Sequence, residues 1–133
     1  VSVKKKKVPL FFGPVPAVAI NAALDMEIEP GDAVMPFNAQ KHARNKRPVE
    51  YARCLPHVAA VISTPLYVRD DFRNTDKIEL VGRPDGMTDY LLVAVEIVLD
   101  EQGRYNVTSF YPISEKKVQN RRESGHLVRV ILI

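Results

Sequence analysis

The run Gln40-Lys41-His42-Ala43-Arg44-Asn45-Lys46-Arg47 sets one histidine among four basic side chains. An imidazole in so polar a stretch has little reason to serve as core packing. Neighbouring positive charge favours its neutral form, and a histidine near neutrality suits giving and taking protons at a phosphodiester. On a helix, Lys46 at i+4 shares the face of His42. Further along, Thr108-Ser109-Phe110-Tyr111 offers hydroxyls and rings. Strand alternation sets Tyr105, Val107, Ser109 and Tyr111 on one face and Asn106, Thr108 and Phe110 on the other. Ser109 and Tyr111 could donate to a phosphate or a developing negative charge, and Phe110 or Tyr111 could stack on a base. The plainer alternatives are an exposed histidine on a solvated helix and ordinary strand residues. Residue types alone leave both open.

Other chemistries are missing from the 133 residues. There is no phosphate-cradling glycine loop, no G-x-S-x-G elbow and no H-E-x-x-H spacing, so neither a nucleotide hydrolase nor a metalloenzyme is written here. A single cysteine, Cys54, provides neither a disulfide nor a cysteine-based zinc site, and no metal or other cofactor is expected. His57 follows Pro56 and leads into an apolar run, which reads as a helix start. His126, beside Gly125, has no assigned role.

A hydrophobic share of 46% and a charged share of 26% describe one globular domain. The stretch 8–24 is uncharged but carries Pro9, Gly13, Pro14, Pro16 and Asn21, so no membrane insertion is expected. With Lys4 to Lys7 before it, the stretch resembles a secretory signal only superficially, because its prolines disfavour the helical apolar segment. It reads as a Pro-rich basic entry segment or linker over 1–23, followed by a folded domain over 24–133. Val1 in place of a methionine fits a piece of a longer polypeptide. The formal charge of +3 is a small difference between 19 basic and 16 acidic residues. Acidic residues gather at 25–32 and 70–101. Basic ones gather at Lys41, Arg44, Lys46, Arg47 and Arg53, opposed locally only by Glu50, and again at Lys116, Lys117, Arg121, Arg122 and Arg129. Two basic blocks on one face would suit an anionic partner.

The elements that must position these residues follow from pattern. Met26-Glu27-Ile28-Glu29 and Ala33-Val34-Met35 read as two strands around the turn Pro30-Gly31-Asp32. Asn38 is placed to cap a helix to about residue 46, Pro48 to open one over 49–55, and Pro56 to restart it through Val58, Val61 and Ile62. Ser63-Thr64-Pro65 ends this layer. Strands follow at 78–81, 90–99 and 105–111, the last two joined by Asp100-Glu101-Gln102-Gly103. A short basic helix over 114–122, stopped by Ser124-Gly125, precedes a final strand over 126–133. Helices first and an antiparallel sheet afterwards is the α+β pattern.

In order and spacing these pieces resemble nucleases of the barnase, EndoU, colicin and RelE-like superfamily, in particular the group on phage-related proteins and bacterial polymorphic toxins. The resemblance covers about residues 24–130. It runs from Glu27-Ile28-Glu29-Pro30-Gly31-Asp32-Ala33-Val34 through His42 to Arg47-Pro48, then Val61-Ile62-Ser63-Thr64-Pro65-Leu66-Tyr67-Val68 and the strand from Asn74-Thr75 to Val81. Leu91 to Val95, Thr108-Ser109-Phe110-Tyr111, Lys116-Lys117-Val118-Gln119-Asn120-Arg121 and Gly125-His126-Leu127 complete it. It implies N-terminal helices packed on a curved antiparallel sheet and RNA cleavage without metal, giving a 2′,3′-cyclic phosphate. It implies catalytic roles for His42, Arg47, Ser109 and Tyr111, and RNA contacts from Lys41, Arg44, Lys46, Thr108, Lys116, Lys117, Arg121 and Arg122. Family members often carry a second histidine where this chain has Arg47, which would clamp phosphate rather than trade protons. A toxin context further implies tRNA or another RNA as substrate, a cognate immunity protein, and delivery within a larger toxin to the cytoplasm of a target bacterium. A catalytically impaired RNA-binding domain, or a phage-associated interaction domain on the same fold, remains the alternative.

Overall fold

A computed structural model describes residues 7–71 and 76–132 of the chain. Lys4, Lys5 and Lys6 of the entry segment, Asn74 and Thr75 of the resembling strand, and Ile133 lie outside the described residues. The fold is α+β, with seven strands in one mostly antiparallel sheet.

The chain enters the sheet earlier than its composition suggests. Strand β1 (Leu10–Pro14) pairs antiparallel with β2 (Asp32–Met35), and helix α1 (Ala17–Leu24) lies between them. Ile20 on α1 is fully buried and Val15 and Ala17 nearly so. The expected linker over 1–23 is therefore corrected: residues 10–24 belong to the folded body, because their prolines fall at the helix entry rather than inside it. Helix α1 stops at Asp25, whose left-handed backbone (φ 55) is one an aspartate tolerates.

The expected strand over 26–29 is absent. Its backbone is satisfied by a side chain instead of a ladder. Asn21 donates through Nδ2 to the Ile28 carbonyl (3.0 Å) and accepts the Ile28 N–H on Oδ1 (2.8 Å). The Tyr105 hydroxyl donates to the Glu29 carbonyl. With both polar groups of Ile28 already paired, that residue has none left for a ladder.

Helix α2 (Phe37–Lys46) starts at Phe37 after Pro36, so Asn38 lies within its first turn and is not the expected cap. Arg47 leaves helical geometry because Pro48 follows it, and Pro48 opens α3 (Pro48–Cys54). A 3-10 turn over Leu55–His57 leads to α4 (Val58–Ser63). The sheet continues with β3 (Tyr67–Asp70), β4 (Lys77–Gly82), β5 (Tyr90–Glu96) and β6 (Arg104–Ile113). Asp100 accepts the backbone N–H groups of Gln102 and Arg104 at 2.9 Å each, and Gly103 supplies the positive φ that the hairpin requires. Helix α5 (Glu115–Glu123) is capped by Ser114, whose Oγ accepts from the Lys117 N–H at 3.2 Å. The expected final strand shortens to β7 (Val128–Arg129) at the far edge, beside β3.

Strand order is β1-β2-β6-β5-β4-β3-β7, and the β2–β6 pair is parallel, so the sheet is mixed rather than wholly antiparallel. Helices α1, α3 and α4 cover one face, where Ile20, Tyr51, Cys54, Val58 and Ile62 join Leu80, Val93, Val107 and Phe110 in the main core. A smaller cluster on the other face packs Val118 of α5 and Leu127 against Tyr67, Val81, Leu92 and Ile113.

Replacing Asn21 by Ala strips Ile28 of both partners and is expected to cost about 1–3 kcal/mol, read as a lower midpoint in urea unfolding. An unchanged midpoint would mean that water replaces the side chain without loss.

Candidate active site

Strand β6 changes its neighbour along its length. It pairs with β2 at Arg104, Tyr105 and Asn106, then continues to Ile113 beside β5 alone. Helices α2 and α3 occupy the place beside this open edge. Between them lies a cavity of about 250 Å³. His42, Ala43, Lys46 and Arg47 line it from α2 and its end, Glu50 and Tyr51 from α3, and residues 108–111 from β6. Thus His42, Arg47, Ser109 and Tyr111 lie around one space, with Lys46 and Thr108 beside them.

The floor is apolar and rigid. Tyr51 stacks on Phe110 with ring centroids 5.4 Å apart and planes 29° from parallel. Both rings are largely buried, and they tie α3 to β6. The rim is charged. His42, Lys46 and Arg47 are exposed, and Arg47 reaches Glu50 at 3.3 Å. With these side chains 60% and 38% exposed, that ion pair adds little stability; its consequence is to hold the guanidinium at the mouth of the cavity. Burial raises the Tyr51 phenol above its ordinary pKa against the opposing charge of Arg44. Burial, with Glu79, also raises Tyr111 against Arg121 and Arg69. Both phenols therefore stay protonated donors at neutral pH. Thr108 spends its hydroxyl on the Ala94 carbonyl, at 3.5 Å.

The expected alternation along β6 does not hold throughout. The β5 partner shifts from Ser109 opposite Ala94 to Val107 opposite Val95, leaving Thr108 as an extra residue. This bulge reverses the faces beyond it, so Phe110 joins Tyr105 and Val107 in the main core while Tyr111 packs against the second cluster. The grouping of Ser109 and Tyr111 with Tyr105 and Val107 is corrected accordingly.

The remaining basic residues are not gathered around the cavity. Lys41 and Arg44 sit on α2 outside its lining, and Lys116, Lys117, Arg121 and Arg122 sit on α5. Arg122 lies over the Tyr67 ring, 4.9 Å from its centroid. His57 is half-buried in the 3-10 turn and His126 is exposed. Glu50 and Tyr51 are lining residues that sequence reading missed. The signal for Glu50 was its place as the lone acid in the first basic block.

No group of three or more histidine, cysteine or acidic residues stands together to hold a metal among the described residues. Among them, no helix is long and apolar enough to cross a membrane. Compared with protein-family models, curated proteins and solved structures, the chain matches none.

Truncating Phe110 to Ala removes the ring that seats Tyr51. Denaturant unfolding is expected to show a loss of about 3–5 kcal/mol, as for other buried aromatics. A loss below about 1 kcal/mol would show that the stack does not tie α3 to the sheet.

Proposed function

We propose that this chain is a metal-independent endoribonuclease domain of the toxin type, on a fold of the barnase, EndoU, colicin and RelE-like kind. The observation that carries the reading is the convergence of two segments distant in sequence, one with His42, Lys46 and Arg47 and one with Ser109 and Tyr111, on one cavity. Cleavage without metal needs one group to take the proton of the ribose 2′-hydroxyl and another to protonate the departing 5′-oxygen. Arg47 is unsuited to either task, since a guanidinium keeps its proton. The lining supplies two groups whose chemistry fits, the Glu50 carboxylate and the His42 imidazole.

In this scheme Glu50 accepts the 2′-hydroxyl proton as that oxygen attacks phosphorus. The bond from phosphorus to the 5′-oxygen breaks, and His42 in its protonated form gives that oxygen its proton. The products are a 2′,3′-cyclic phosphate and a 5′-hydroxyl end. Arg47 and Lys46 neutralise the charge on the phosphoryl oxygens, and Ser109 and the protonated Tyr111 donate hydrogen bonds to them. The rings of Tyr51 and Phe110 are stacked on each other, which leaves base contacts to the exposed rim.

Incubation of the purified chain with tRNA and ribosomal RNA in excess EDTA tests this. Cleavage is expected to persist in EDTA, and His42→Ala is expected to lower its rate by about 10²-fold or more. Glu50→Gln is expected to lower the rate by about 10²-fold or more as well. Intact RNA with the unaltered chain, or equal cleavage by His42→Ala, ends the proposal. Salt-sensitive RNA binding without cleavage would instead support the binding-domain reading, whose basis is Arg47 closed onto Glu50.

Delivery as part of a larger toxin into the cytoplasm of a target bacterium, with tRNA as the favoured substrate, belongs to the same reading. The producing cell then needs an immunity protein, acidic where it covers the basic rim. Co-expression of the gene flanking this one in its native operon is expected to abolish toxicity and to block cleavage in vitro. Undiminished toxicity would count against the toxin context.

A further inference from the structure

The sheet face turned away from α1, α3 and α4 carries a polar row of which the cleavage scheme uses only the last member, Ser109. Strand register sets Arg69 of β3, Glu79 of β4, Ala94 of β5 and Ser109 of β6 side by side across the sheet. Arg69 Nη1 meets Glu79 Oε1 at 3.1 Å, with the two side chains only 23% and 12% exposed. Arg69 Nε is shut off from solvent and has no acceptor. Arg121 brings its Nη1 from α5 in the same condition. Buried charged donors are normally paired, so two such N–H groups from different elements call for an acceptor from outside the chain.

Three features define that acceptor. Ala94 has only a methyl group between Glu79 and Ser109 and remains partly exposed, so the row is lowest there. Glu79 offsets the charge of Arg69, and Arg121 adds one further positive charge beside the row. A ligand with one negative charge spread over several acceptor oxygens fits this balance better than a doubly charged ion. Val118, one turn before Arg121 on α5, packs in the same cluster as Ala94 and Tyr111, so α5 lies over this row, and Tyr111, which lines the cleft, joins the two places.

We propose that Arg69 and Arg121 form a second phosphodiester subsite over Ala94, adjoining Ser109 and Tyr111 of the cleft, which takes the phosphate of a nucleotide neighbouring the one held at His42. The inference rests on the ribonuclease reading for its substrate. Its own evidence is the unpaired guanidinium N–H groups.

The test is fluorescence anisotropy of the full chain with a fluorescein-labelled decamer of 2′-O-methyl RNA, which has no 2′-hydroxyl to react. Arg121→Gln and Ala94→Val are each expected to weaken binding at least fivefold. Arg121→Gln is also expected to reduce the slope of log Kd against log salt by about 0.7, the loss of one phosphate contact on a single strand. Arg83→Gln, the same charge change at an exposed residue after β4 that belongs to neither basic block, controls for net charge and is expected to bind as the unaltered chain does. With unmodified RNA, Arg121→Gln is expected to lower kcat/KM at least fivefold more for a decamer than for a dinucleotide, which has only the scissile phosphate. Folding of each variant is checked by its thermal midpoint. The subsite is overturned if folded Arg121→Gln and Ala94→Val bind the decamer like the unaltered chain, or if dinucleotide and decamer suffer equally. Failure of the ribonuclease reading shows separately, as unmodified RNA left intact by the unaltered chain, and the anisotropy result still decides the subsite.

Discussion

The partial pairing of β6 is the constraint on which the rest of the molecule depends. Three residues of β6 lie beside β2, and the strand then runs on with one edge unpartnered by any described strand. An open edge offers backbone N–H and C=O groups that must find partners, and sheets commonly blunt such edges with helices, bulges or charge. All three occur here. Helices α2 and α3 stand beside the edge, Thr108 bulges near the end of the pairing with β2, and the rim carries Lys46 and Arg47. The cavity follows from this arrangement, since helices do not fill the space that a further strand would.

The same constraint explains which parts of the fold were legible from sequence. The helices after Pro48 and Pro56, the hairpin at Asp100 and Gly103, and the short basic helix that starts at Ser114 are set by local chemistry. Their signals lie within a few residues, and the structure bears them out. The misread pieces depend on distant partners. Residues 26–29 alternate as a strand should, but Asn21 and Tyr105 satisfy their backbone. Leu10–Pro14 carries a glycine and a proline and still forms a strand, because β2 presents an unpaired edge to it. The bulge at Thr108 has no local signal, and one extra residue is enough to exchange the faces of everything after it.

The candidate site divides along the same line. Residue type and local charge singled out His42, Lys46 and Arg47, and the hydroxyls of 108–111 were visible as a group. That Glu50 and Tyr51 would join them depends on α3 folding back against β6, a tertiary relation. Charge density was a weaker guide. It grouped Lys116, Lys117 and Arg122 with the cleft, whereas α5 lies against the second cluster and carries them outside the lining. Arg121 differs from these three because it turns a buried nitrogen inward, which only burial reveals.

Helix α2 carries the histidine but has no buried residue of its own. Its attachments are the half-buried Ala39 and Ala43, the Gln40 amide donating to the Met35 carbonyl at 2.8 Å, and the junction at Arg47 and Pro48. Helix α3 is anchored far more firmly, through Tyr51 on Phe110 and through the fully buried Cys54. The two walls of the cleft therefore differ in stiffness. Elements with few buried apolar contacts occupy the low end of local stability, and ligand-gripping segments are drawn from that end. The wall bearing Glu50 keeps its distance from β6, while the wall bearing His42 can adjust to what enters. Arg47 is the single residue between α2 and α3, and its ion pair to Glu50 is one link among several between the adjustable wall and the fixed one. A phosphate that draws Arg47 away from Glu50 would loosen that link and free the carboxylate in the same step, coupling substrate entry to release of the group that takes its proton.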